Sequence, residues 1–137
     1  MSWIDLLKEL GGNAPARAES IAALERSIGH PLPKDYVAFL SVRDGGEGFV
    51  SGGDYAIFWR ADEIPRFNQE YEVDVYAPGL LLIGSSGGGE GFGFDTRISP
   101  WTIIRVPFVG MELSLVEPVS PSFAGFIEAL AKGETTS

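Results

Sequence analysis

The sequence has no cysteine and a single histidine, His30. The missing cysteines exclude disulfides, thiolate metal sites and cysteine nucleophiles together. Zinc is left without its usual ligands. A serine triad is excluded as well: no Gly-x-Ser-x-Gly elbow is present, and His30 stands before Pro31 in a surface connection. Long apolar runs are absent, since no stretch approaches the ~18 residues of a membrane span. The opening Met-Ser-Trp-Ile-Asp-Leu-Leu-Lys-Glu-Leu has acids inside its apolar pattern and no basic leader, so it does not read as a signal peptide. The expectation is a soluble, cytoplasmic protein that does not engage a membrane. Basic residues are scarce too. Ten Lys and Arg stand against nineteen Asp and Glu, a net charge of −9, which argues against nucleic acid as a partner.

What is present is core-forming material. Hydrophobic residues make up 45% of 137 and aromatics 12%, enough for one domain, residues 1–137, with a real core. The acidity is uneven along it. Residues 44–96 hold ten acids and only Arg60 and Arg66, so that section carries −8 and the rest −1. Such a stretch is either a solvated surface that keeps the protein soluble or a face that steers a basic partner.

Periodicity outlines the fold. Leu6, Leu7 and Leu10 recur at helical spacing behind Ser2, a capping residue, and Gly11-Gly12-Asn13 ends that first short helix. A second helix is predicted over about 16–28, with Ile21, Leu24 and Ile28 on one face and Gly29 as its left-handed exit. Pro31 and Pro33 stiffen the next connection. Tyr36, Phe39 and Leu40 then share a helix face, and that helix ends near Asp44-Gly45-Gly46. Phe49-Val50-Ser51 and Tyr55 to Trp59 read as strands joined through Gly52-Gly53-Asp54. Residues 61–70 suit a small helix with Pro65 in its first turn. Leu80 to Ile83, Phe92 to Phe94 and Thr102 to Val106 read as strands, the first buried on both faces. Phe123, Phe126, Ile127 and Leu130 mark a closing helix. The fold class is α+β: N-terminal helices, a mostly antiparallel central sheet and a C-terminal helix.

The glycine-rich Ser85-Ser86-Gly87-Gly88-Gly89-Glu90-Gly91 invites a phosphate-loop reading and fails it. A Walker A loop needs Lys after its last glycine, and Glu90 stands there instead; the Rossmann spacing asks for glycine at Phe92. The segment reads as a turn or bulge. No calcium-loop pattern occurs. Glu70, Glu72 and Asp74 would fall on one side of an extended segment, but so acidic a chain produces such carboxylate pairs by chance. No catalytic, cofactor-binding or metal-binding residue is identified. Trp3, Trp59 and Trp101 read as core or rim packing, with a partner anchor as the alternative use of a tryptophan.

A longer pattern runs through these elements. Ile21-x-x-Leu24-Glu25-x-x-Ile28-Gly29-x-x-Leu32-Pro33-x-x-Tyr36-x-x-Phe39-Leu40, followed by Gly45-Gly46, resembles the opening of SMI1/KNR4-family domains of the SUKH superfamily. Asp62-Glu63-Ile64 with Asn68 and Tyr71 is similar to the family's central helix. Leu82-Ile83-Gly84 through Gly87-Gly88-Gly89 to Phe94-Asp95 is similar to its glycine-bearing hairpin, and Ser122-Phe123-x-x-Phe126-Ile127-x-x-Leu130 to its last helix. The resemblance covers about residues 16–131. Asp44 stands where the family often has asparagine, and either residue can cap a turn. Glu25 is either a surface acid or a buried hydrogen-bonding one.

The resemblance implies a non-enzymatic binding module. Similar bacterial proteins are commonly immunity proteins that neutralise a cognate toxin, often a nuclease whose substrate surface is basic. An acidic inhibitor can occupy such a surface in place of phosphate and associate quickly. The candidate partner-binding residues, chosen by charge and predicted loop position, are Asp44, Glu47, Asp54, Glu70, Glu72, Asp74 and Glu90. A regulatory scaffold binding a host protein is the alternative, and a carboxylate enzyme a further one.

Overall fold

Ser2 accepts a hydrogen bond from the Ile4 N–H at 3.3 Å and so caps a 3-10 turn, Trp3–Leu7, in a computed structural model that describes residues 2–135. Met1, Thr136 and Ser137, included in the assignment of a domain over 1–137, lie outside the described residues. Helix α1 is Ala18–Ile28 and ends as expected on Gly29 at φ 71°. Helix α2, Lys34–Val42, follows the two prolines and buries Tyr36, Phe39 and Leu40. Helix α3 is Ile64–Glu70 with proline in its first turn, and α5 is Phe123–Ala131. Ser122 caps α5 by accepting from the Gly125 N–H at 3.0 Å.

Among the described residues the sheet is antiparallel throughout, seven strands in chain order. They are β1 Gly11–Gly12, β2 Gly46–Phe49, β3 Tyr55–Phe58, β4 Leu80–Ser85, β5 Glu90–Asp95, β6 Thr102–Pro107 and β7 Glu117–Ser120. Four details differ from the sequence expectation. Gly11 and Gly12 do more than end a helix, because they pair with Glu47 and Gly46 as an edge strand. Strand β2 starts at Gly46 and ends at Phe49. The turn therefore falls on Ser51 and Gly52, at φ 51° and 79°, closed by the Gly53 N–H donating to the Val50 carbonyl at 2.8 Å. Two positive-φ residues are what a tight two-residue hairpin turn needs. Strand β7, with Pro118 inside it, was not expected, nor was helix α4, Val73–Tyr76. That helix also means Glu70, Glu72 and Asp74 do not alternate along an extended segment: Glu70 ends α3, Glu72 sits at φ 55° and Asp74 lies in α4.

Successive residues of a strand face opposite sides, and aromatic side chains pack against the sheet from both. Phe58, Phe92 and Phe94 meet Tyr36, Phe39, Phe123 and Phe126 from α2 and α5, with ring centroids 4.8–6.1 Å apart. On the other face Trp59 packs on Phe67 of α3 at 4.9 Å, and Tyr71 stacks on Phe108 at 4.3 Å. Helix α3 is tied to β4 by one amide. Asn68 Nδ2 donates to the Leu82 carbonyl at 2.8 Å and its Oδ1 accepts from the Leu82 N–H at 2.9 Å. A primary amide thus takes the place of a strand residue where β3 no longer runs beside β4. Gly84 has a reason of its own: a Cβ there would collide with the Ile57 carbonyl of β3.

Candidate partner-binding surface

The seven candidate acids do not form one surface. Three are engaged within the fold. Asp44 is half-buried and its Oδ1 accepts from the Ala61 N–H at 2.8 Å. Asp54, also half-buried, has Oδ2 accepting from the Thr135 N–H at 2.9 Å and the Thr135 hydroxyl at 2.6 Å, which moors the end of the described chain. Glu90 begins β5 rather than lying in a loop, and its carboxylate is 3.8 Å from the Arg105 guanidinium. Arg105 is 8% exposed and also donates to Glu117 at 3.0 Å and to the Thr135 carbonyl. These three carboxylates stabilise the chain's own tertiary contacts.

The other four face outward. Glu47 is in β2, on the same sheet face as Phe49, Tyr55 and Ile57, and accepts from the Tyr55 hydroxyl. That bond keeps the Tyr55 hydroxyl protonated above its ordinary pKa. Glu70 is exposed, with Arg66 3.9 Å away, too open a pair to neutralise it. Glu72 and Asp74 are exposed and have no ion-pair partner among the described residues.

Glu72 and Asp74 also share a feature that charge counting missed. They line a cleft of about 950 Å³ between α1 and the α3–α4 segment, with Leu24, Ile28, Leu80, Leu81 and Trp101 contributing apolar wall. Val75, 69% exposed, stands at this cleft, and Tyr76 beside it is 53% exposed. Exposed apolar side chains beside unpaired acids mark a contact surface better than either alone. The signal was in the sequence as Glu72-Val73-Asp74-Val75-Tyr76, where only Val73 turns into the core. Trp101, read as core or rim, is half-buried on the cleft wall, stacked on His30 at 4.5 Å and packed against Phe94 at 5.7 Å. Trp59 is core at 8% exposure, and Trp3 packs edge-on against Phe123.

Two other features singled out by the sequence are engaged within the fold. In the glycine-rich turn, Ser85 and Ser86 hydroxyls accept from the N–H groups of Gly87 and Gly88 at 3.1 and 3.0 Å, so those amides are already used. Glu25 accepts from the Leu32 N–H at 2.8 Å, which fixes the turn after α1. Among the described residues no group of three or more His, Asp or Glu side chains is placed to hold a metal ion, and no helix is long and apolar enough to cross a membrane.

No curated protein matches the chain. The match to a family is clear: residues 15–129 match the SMI1 / KNR4 family (SUKH-1), and the chain belongs to that family.

Proposed function

We propose that this protein is a non-enzymatic immunity protein that binds a cognate toxin in the cytoplasm and neutralises it stoichiometrically. One observation supports the reading most: the mid-chain acids Glu70, Glu72 and Asp74 sit exposed on and beside α4, and the latter two line the cleft with no cation of their own among the described residues. Leaving carboxylates unpaired beside exposed Val75 and Tyr76 gains nothing for folding and suits a basic partner. A toxin that acts on nucleic acid has such a surface, since it must hold phosphates. Of the seven acids chosen by charge and predicted loop position, these three carry the proposal; Glu47 is exposed on β2, and Asp44, Asp54 and Glu90 hold the fold together.

The test is co-expression with the product of the adjacent gene. The expected result is rescue of growth and a one-to-one complex that weakens as salt rises. Failure to rescue and failure to form a complex would overturn the immunity reading. A complex indifferent to salt would retain the partner and reject electrostatic docking.

A further inference from the structure

We propose that the cleft between α1 and the α3–α4 segment receives an arginine flanked by apolar side chains, carried on one projecting segment of the partner. This rests on the reading that the acidic face docks a basic protein, and it names the chemistry of what enters. Beside neutral polar side chains such as Gln69 and Thr96, the cleft lining carries an apolar part and an acidic part. Ile28, Leu81, Trp101 and Val75 provide apolar wall, while Glu72 and Asp74 place two carboxylates on the same lining. A purely basic segment would leave the apolar wall wet, and a purely apolar one would bury carboxylates without a partner, which costs free energy. A side chain that is both cationic and weakly hydrated satisfies both requirements. Arginine fits better than lysine, because its planar fork carries five donors and loses less hydration on entering a partly apolar site. The volume of about 950 Å³ admits a few side chains, a segment rather than a whole face of a domain.

The experiment uses the full chain and three synthetic pentapeptides with blocked ends. One has arginine at the centre flanked by leucines, the second replaces arginine with lysine, and the third keeps arginine between glycines. Titration is followed by amide and indole chemical shifts. The expected result is saturable perturbation at Ile28, Val75 and the Trp101 indole by the first peptide, with the second and third several-fold weaker. Glu72→Gln with Asp74→Asn should weaken the first peptide about tenfold, which converts to roughly 1.4 kcal/mol. Val75→Ser, at an exposed position that does not threaten the fold, should weaken it by a smaller factor. Perturbation elsewhere on the surface, no perturbation at millimolar peptide, or equal binding by the double variant would overturn the proposal. Equal binding of the lysine peptide would overturn the preference for arginine. These outcomes are separate from the toxin test: a toxin complex untouched by the double variant rejects the cleft and leaves immunity standing, whereas peptide binding without a toxin complex does the reverse.

Discussion

Asp54 and Asp74 carry the same side chain in the same acidic stretch, and the fold uses them in opposite ways. Asp54 reaches across to Thr135, which is 2% exposed, and holds both its N–H and its hydroxyl. Asp74 stands on a short exposed helix at the rim of a cleft and holds nothing among the described residues. The difference teaches that net charge is a poor guide to an interface. A carboxylate that caps a buried donor belongs to the core's hydrogen-bond accounting, and only one left over is available to a partner.

The comparison can be broken by substitution. Asp54→Ala should have the largest effect, a loss of about 3 kcal/mol of unfolding free energy measured by denaturant titration, because it strands two donors of a buried residue. Asp44→Ala should cost somewhat less, about 1–2 kcal/mol, since it strands one buried N–H at Ala61. If either proves neutral, the division between inward and outward acids fails. Tyr36→Phe sharpens the same contrast from the other side. The Tyr36 hydroxyl is buried with no partner among the described residues, so phenylalanine should stabilise by about 1 kcal/mol. Burial, and then the charge of Asp44, hold that hydroxyl well above its usual value of 10.0. Above about pH 10 the hydroxyl ionises more readily in the unfolded chain than in the fold, so stability falls as pH rises, and the phenylalanine variant should lose that part of the alkaline unfolding limb.

A smaller effect is expected at Asp95. Its hydrogen bonds from Arg97 hold its carboxyl below the usual value of 3.8, against the opposing pull of burial. Stability from this pair is present above about pH 4 and fades as pH falls below it, so Asp95→Asn should flatten the acid limb of a stability profile. Smallest of all is the outward pair. Glu72→Gln with Asp74→Asn should change stability by less than about 0.5 kcal/mol, because neither side chain has a contact to lose.

Helices were the most legible part of the sequence. The apolar spacing of α1 and α5, the left-handed exit at Gly29 and the cap at Ser122 are local signals, and the structure places all of them as expected. Strand β1 was not legible because two glycines have no side-chain pattern, and only Gly46 and Glu47 across the sheet make them a strand. Strand β7 hid behind Pro118, a residue tolerated at a sheet edge. The site was half legible. Counting acids picked out a stretch that holds both inward and outward carboxylates without telling them apart: the partner of Asp54 lies 81 residues away, and no local pattern announces such a bond. The cleft escaped for the same reason, since Ile28, Val75 and Trp101 come together only through the fold.

The central claim is that the outward acids, and not the inward ones, meet a basic partner. The most direct measurement is the association rate with the adjacent gene's product at increasing ionic strength, for the wild type and for Glu72→Gln with Asp74→Asn. The expected result is a wild-type rate that falls steeply with salt, and a double variant that associates about tenfold more slowly at low salt while melting at the same temperature. Equal rates for the two proteins, with the same salt dependence, would contradict it.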